Sequence, residues 1–394
     1  MKITQIAKEE RNVSRGLLLV LAILISVTAA AGPALAAETI KIGFFAPLTG
    51  PAAADGKSVM QAAQLAVDEI NARGGAAGKP VELVAYDDRF DPREAVAIAN
   101  KLIEQDRVVA VVSGSYSGPT RAVAPIFQRA GIPMISAYGV HPDITLAGDY
   151  IFQQSFIGPV QGKAGAEVAV KLLNARNIVS LVMDNDFGRS LGKAFREHAE
   201  SLGATVHEEL FPFGEKEFTP ILARIRGMNP DLIYTTGYFM EAALTVKQAR
   251  ELGITAQILG TEGADSFQFP EIAGDAAEGV VITTNLNRDD ERPIARRFME
   301  LYRARFGHEP DMVAASTYDA FIILAMAIDK AGTDPRAIRD AIAETRNFEG
   351  VTGLIAGYTE VGEVLKSVQV QQFRDGRYRF LAVIDDIDLI TPPQ

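Results

Sequence analysis

The chain has 394 residues, enough for two or three domains, and its 48% hydrophobic and 23% charged content excludes a disordered, collagen-like or coiled-coil polypeptide. Fifty acidic against 39 basic residues give a net charge of −11, which argues against a surface that neutralises nucleic-acid phosphates. With no cysteine there is no disulfide, thiolate nucleophile, zinc-thiolate or iron–sulfur site, and no lipidated N-terminal cysteine.

Residues 1–36 read as a secretory signal peptide. Lys2, Lys8, Arg11 and Arg15 precede an uncharged apolar run at 17–31, and Ala34-Leu35-Ala36 has the small residues of a cleavage site. The run falls short of the roughly 20 apolar residues that span a bilayer, which disfavours a retained anchor. Cleavage is expected after Ala36 or Ala37. Losing four basic and two acidic side chains then takes the net charge from −11 to −13. No later stretch reads as transmembrane, so the expected product is a diffusing periplasmic protein, not a lipoprotein, with no stable membrane insertion.

From residue 40 onward, short apolar runs alternate with longer amphipathic ones. Residues 40–45 read as a buried strand, and 59–72 as a helix with Ala63, Val67 and Ile70 on its apolar face, stopped by Gly74-Gly75. Strands follow at 81–86, 108–112 and 132–136, with helices at 94–105 and 121–129. The alternation restarts with helices at 163–174, 191–202, 218–226 and 242–252 and strands at 178–183, 205–210, 232–236 and 257–259. Such βα alternation implies parallel sheets, hence two doubly wound, Rossmann-like halves. Helices at 292–306, 316–331 and 335–345 and strands at 368–373 and 378–384 then suggest that the chain revisits each half.

Catalytic motifs are not completed. The glycine-rich segment 74–80 lacks phosphate-loop spacing and carries Pro80 where a magnesium-binding hydroxyl belongs. Gly114-Ser115-Tyr116-Ser117-Gly118 has tyrosine at the centre of what would be a nucleophile elbow. His141, His198, His207 and His308 form no metal-ligand pair, and Asp87, Asp88 and Asp91 read as an acidic turn closed by Pro92. No enzyme, metal or cofactor is expected. Polar and aromatic residues do collect at predicted strand ends, where ligands of open α/β sheets bind: 113–117, 136–140, 184–187, Gly237-Tyr238 and Thr261-Glu262. Each has a plain alternative: Ser117 as a helix cap, Tyr238 as a packing aromatic, Glu262 as a solvated charge.

Ile40-Lys41-Ile42-Gly43, Leu48-Thr49-Gly50-Pro51, the segment from Ala66 through Asp68-Glu69-Ile70-Asn71 to Gly75, and Tyr86-Asp87-Asp88 resemble the opening of the leucine/isoleucine/valine-binding protein family. Asp91-Pro92, Ala273-Gly274 with Ala277-Glu278-Gly279, and Thr317-Tyr318-Asp319-Ala320 continue the match over essentially the whole mature chain. These are type I periplasmic binding proteins of ABC importers. The resemblance implies two Rossmann-like lobes joined by three hinge crossovers, near 155–158, 283–285 and 366–369. One lobe would hold 37–155 and 285–366, the other 156–284 and 367–394.

It further implies that Ser117 binds a ligand carboxylate, that the Tyr138 backbone carbonyl receives an ammonium, and that Tyr238 and Glu262 close over the ligand. Asp55, Gly139, Val140 and Phe187 complete the implied contact set. Val140 and Phe187 stand where the branched-chain binders carry a threonine and a tyrosine, so two hydroxyls are gone; Tyr116 and Tyr138 would make the pocket more aromatic. The implied function is delivery of an amino acid to an ABC permease. The alternatives are an amide, aromatic acid or other small carboxylate as ligand, or a ligand-sensing regulator of the same fold.

Overall fold

The computed structural model describes residues 38–393, so the expected signal peptide at 1–36 and its cleavage point lie outside the described residues. Runs rich in Ile, Val and Phe form the inner strands, since such side chains fill a sheet covered on both faces. β1 (Ile40–Ala46), β2 (Val81–Asp87), β3 (Ala110–Ser113), β4 (Met134–Ser136) and β5 (Ile151–Gln153) make a five-stranded sheet in the order β2-β1-β3-β4-β5. Every pairing in it is parallel, with Phe44 of β1 opposite Ala85 on one side and Val112 on the other.

β6 (Asn177–Met183), β7 (Thr205–Phe211), β8 (Leu232–Thr235), β9 (Gln257–Gly260) and β10 (Val281–Thr284) repeat that winding in the order β7-β6-β8-β9-β10. A small antiparallel sheet follows, made by β11 (Arg346–Gly350), β12 (Gly353–Tyr358) and β13 (Val364–Lys366). β14 (Val368–Arg374) and β15 (Arg377–Ile384) then extend the second sheet antiparallel, bringing it to seven strands. The fold is thus a two-lobed α/β protein whose chain passes between lobes after β5, β10 and β13. In each lobe the winding reverses beside the first strand, β1 or β6, and the crevice beyond the strand ends at that reversal is where open α/β sheets hold ligands.

The segment between β10 and β11 returns to the first lobe. Its helix Met312–Ala331 packs on Ala53–Ala72 and sets Phe321 against Phe44. By length and composition this helix is apolar enough to cross a membrane, contrary to the expectation that no stretch beyond the signal peptide would be, but most of it is buried in the core.

Several helices begin earlier than periodicity predicts, among them Gly158–Glu167, Asp186–Ser201 and Met312–Ala331 as well as two in the first lobe. Those two span Ala53–Ala72 and Ser117–Ala130, because their opening turns carry small or polar residues that are nonetheless buried, among them Asp55, Ser58 and Ser117. Gly56 makes the first start possible: a Cβ there would lie 2.0 Å from the Pro47 carbonyl oxygen. Strand pairing at β5, β10 and the β11–β13 sheet was not foreseen. β5 and β10 are short, and β11 and β12 mix glycine and exposed residues into their runs.

Candidate functional site

Six of the eight expected contact residues surround one cavity, and each follows the carboxyl end of a different parallel strand. Asp55 comes after β1, Ser117 after β3 and Tyr138 after β4; Phe187 comes after β6, Tyr238 after β8 and Glu262 after β9. Tyr116, Gly263, Met312 and Val313 complete the lining. The space left free between them is about 10 Å³, against the roughly 300–1,000 Å³ of small-molecule sites, so the cleft is shut tightly and must part to admit a ligand. Gly139 and Val140 stand behind this wall. The Val140 side chain is buried in the core, and the Gly139 amide donates to Ser136 Oγ at 3.1 Å. Met312 and Val313 had no signal in the sequence, because they open an apolar helix nearly two hundred residues beyond Ser117.

Ser117 is not a side-chain cap. Tyr116 occupies the N-cap position of Ser117–Ala130 without a side-chain cap bond, and Ser117 Oγ instead accepts the Val140 amide at 3.1 Å. Pro119 has no amide hydrogen and the Thr120 amide is bonded to the Tyr116 carbonyl, so what the first turn of that helix offers an anion is its positive dipole end and the Ser117 hydroxyl. The Tyr138 hydroxyl donates to the Gly114 carbonyl at 2.8 Å, which fixes its ring in the wall.

Aromatic rings from both lobes meet here. Tyr116 and Tyr238 lie 4.3 Å apart between centroids, Tyr238 stacks on Phe187 at 4.9 Å, and Tyr138 meets Tyr116 edge-on at 5.5 Å. Phe90 and Phe213 continue the cluster from either side. Phe90 arrives through a turn in which Arg89 and Phe90 both adopt left-handed backbone, held by Asp87 and Asp88 accepting their amides. The acidic turn therefore positions an aromatic: Asp87 also takes the Leu48 and Thr49 amides, and Asp91 caps the next helix.

Two acids face this aromatic wall. Glu262 is 1% exposed; its Oε2 accepts from Ser155 Oγ at 3.0 Å and Asn285 Nδ2 at 2.8 Å, and its Oε1 has no partner among the described residues. Burial pushes this carboxyl up to about 8, against the opposing pull of the Ser155 hydrogen bond and the Lys366 charge. Asp55 is 4% exposed, and Tyr116 donates to its Oδ2 at 2.5 Å. Burial, then the neighbouring Asp311 charge, hold its carboxyl well above the usual carboxylate range.

Wider depressions exist at the surface, one around Glu69, Arg297 and Tyr318, another around Phe267, Arg288 and His308. In the first, Glu69 pairs with Arg297 and accepts from Tyr318; in the second, Arg288 pairs with Asp265, while His308 Nε2 and Glu309 Oε2 lack a partner among the described residues. The inter-lobe cavity joins unpartnered buried carboxylate oxygens from both lobes at the carboxyl ends of the parallel strands, which makes it the better candidate.

The sequence profile of the periplasmic binding protein family matches residues 39–377. A leucine-, isoleucine-, valine-, threonine- and alanine-binding protein of Pseudomonas aeruginosa is 31% identical over 334 residues, covering 84% of this chain and 88% of that one. Among solved structures, the leucine-binding protein LivK of Thermotoga maritima superposes with a TM-score of 0.84 at 35% identity, covering 89% of this chain and all of the other. The branched-chain amino acid transporter substrate-binding protein LivJ of Streptococcus pneumoniae, in complex with isoleucine, gives 0.82 at 33% identity, with 88% and 99% covered.

Proposed function

Because the chain belongs to the periplasmic binding protein family, we propose that it captures one amino acid between its lobes and delivers it to the permease of an ABC importer. It is a solute-binding protein, and we assign it no catalytic role. The proposed place of work is the periplasm, reached by removal of residues 1–36. The lobes would close about crossovers near 155–158, 283–285 and 366–369, bringing Ser117 and Asp55 of one lobe onto Phe187, Tyr238 and Glu262 of the other.

One observation carries the ligand class: the buried Glu262 keeps an oxygen unpartnered on the cavity wall. A desolvated carboxylate is costly unless a donor or positive charge meets it, and a ligand ammonium supplies both. The Ser117 hydroxyl, at the positive end of its helix, supplies the complementary end for a carboxylate. The named specificities of the relatives, branched-chain and small amino acids, agree with this polarity. A neutral amide or an aromatic acid is the competing ligand, favoured by the loss of two hydroxyls at Val140 and Phe187.

Titration with amino acids and their deaminated analogues separates these readings. Glu262→Gln keeps the size of the side chain but removes the counter-charge, and should weaken amino-acid binding by several kcal/mol, on the order of a buried broken pair. Tighter binding of the deaminated member by the wild type, unchanged in Glu262→Gln, would exclude an amino acid while leaving solute binding intact.

A further inference from the structure

We infer that the ligand carries a second donor group, an ammonium or guanidinium at its far end, and that Asp55 is the residue that selects it. This deepens the amino-acid reading of the cleft and rests on it, with the ligand class narrowed to amino acids with a basic side chain.

Asp55 and Glu262 line the same cavity but enter it from opposite lobes, one after β1 and the other after β9. An amino acid has a single ammonium, and Glu262 with its unpartnered Oε1 accounts for that. Asp55 poses the same demand again. Its Oδ2 is used by Tyr116, whereas its Oδ1 is buried with no partner among the described residues. A carboxylate oxygen sealed from water without a donor costs free energy comparable to a lost charged hydrogen bond, so such an oxygen on a cavity wall marks the place of an absent donor.

Among the described residues the Tyr116 hydroxyl is the one hydrogen-bond donor to Asp55, and it leaves Oδ1 unmet. Asp55 lies in the first turn of Ala53–Ala72 but makes no cap bond, since Ala52 is the N-cap residue and has no side-chain bond. The charged groups that act on it most strongly, Asp311, Asp265 and Glu241, are all acidic. The nearby cation Arg288 is taken up by Asp265. Asp55 and Glu262 are the only charged residues in the lining, and both are acidic. A purely aliphatic amino acid would leave one of them a buried neutral acid with an unmet oxygen, whereas a second cationic group ionises it and pairs with it. The rings of Tyr116, Tyr238 and Phe187 lie against one another here, and an alkyl stem that parts them would gain their apolar faces and its cationic end their π faces.

Calorimetric titration of the exported protein with lysine, norleucine, ε-aminocaproate and caproate tests this, together with the one-carbon-shorter set ornithine, norvaline, δ-aminovalerate and valerate. Within each pair, the distal ammonium should tighten binding by about tenfold or more. Asp55→Asn should reduce that preference to within about threefold, and Tyr116→Phe, which frees the carboxylate to rotate, should reduce it in part. Melting curves establish that each variant is folded; if Asp55→Asn is not, the Tyr116→Phe preference decides. Norleucine binding as tightly as lysine, or an unchanged preference in Asp55→Asn, overturns the inference. The comparison of lysine with ε-aminocaproate reads the α-amine separately. A distal preference without an α-amine preference would remove the amino-acid reading and leave Asp55 in its role, and no binding by any of the eight compounds would remove both.

Discussion

Glu262 is tied to all three crossover segments: Ser155 and Asn285 donate to its carboxylate, and the charge of buried Lys366 acts on it. Its titration is therefore a readout of the closed cleft. The folded carboxyl holds its proton up to about 8, against 4.5 for an ordinary glutamate, so the folded form stays protonated where the unfolded chain has ionised. Its contribution to stability is complete below about pH 4.5 and is lost as pH rises toward about 8, at up to about 1.4 kcal/mol per pH unit. Asp311, pushed up to about 7, and Asp55 act with the same sign. Lys366, lowered from 10.5 to about 8 chiefly by burial, adds an opposing slope only above that pH. The ligand-free protein should accordingly melt at lower temperature at about pH 8 than at about pH 5, and Glu262→Gln should show a shallower fall. Parallel slopes would take Glu262 out of the titrating set. At this scale the sequence marked Ser117, Tyr138, Phe187, Tyr238 and Glu262 by their place after strands and by resemblance. It could not show that Ser117 Oγ takes the Val140 amide, because that contact joins two separate loops.

The element that presents Phe187 is the helix Asp186–Ser201, capped by Asn185, whose Oδ1 accepts the Gly188 amide at 2.8 Å. Gly188 lets this N-terminus sit on the end of β6: a Cβ would fall 2.1 Å from the Met183 carbonyl oxygen and 2.8 Å from Thr236 Oγ1. Gly188→Ala should therefore push the helix start outward, costing about 1–3 kcal/mol by overpacking and weakening ligand binding as Phe187 leaves Tyr238. Melting curves and titration on one preparation check both effects. A destabilised variant with unchanged affinity would show that Phe187 placement is not set by this contact. The inner strands and the long helices were legible, since their periodicity is strong. Helix starts were not, because their first turns are polar residues buried only by the partner lobe or by Met312–Ala331. The motif Thr317-Tyr318-Asp319-Ala320 turns out to anchor structure: Asp319 accepts the Val351 and Thr352 amides at 2.8 and 2.9 Å and so pins the β11–β12 turn.

Across the whole molecule, the proposed ligand site and the lobes share one interface, since the aromatic cluster joins Phe90, Tyr116 and Tyr138 of the first lobe to Phe187, Phe213 and Tyr238 of the second. Such a surface exchanges solvent for ring contacts on closure, and a bound ligand adds its own bridges to both sides. Hinge closure is the expected response. Small-angle scattering with a ligand that calorimetry has verified should show a smaller radius of gyration, or a narrower distribution where the free protein already samples closed forms. Identical scattering profiles, with and without ligand, would place recognition outside the inter-lobe cleft.

The sequence by itself determined the class of this protein: periodicity set the βα alternation, composition removed disulfide and thiolate chemistry and argued against nucleic-acid binding, and ordered motifs pointed to the family. These properties are local, carried by residues close in the chain. The tertiary structure decided what the site can demand of a ligand. Asp55 and Glu262 are some two hundred residues apart, and only folding seals both from water in one cavity, leaves an oxygen of each without a donor, and sets them on opposite lobes. Desolvation is a property of the assembled surroundings, so the charge the cleft calls for emerges only when the lobes meet.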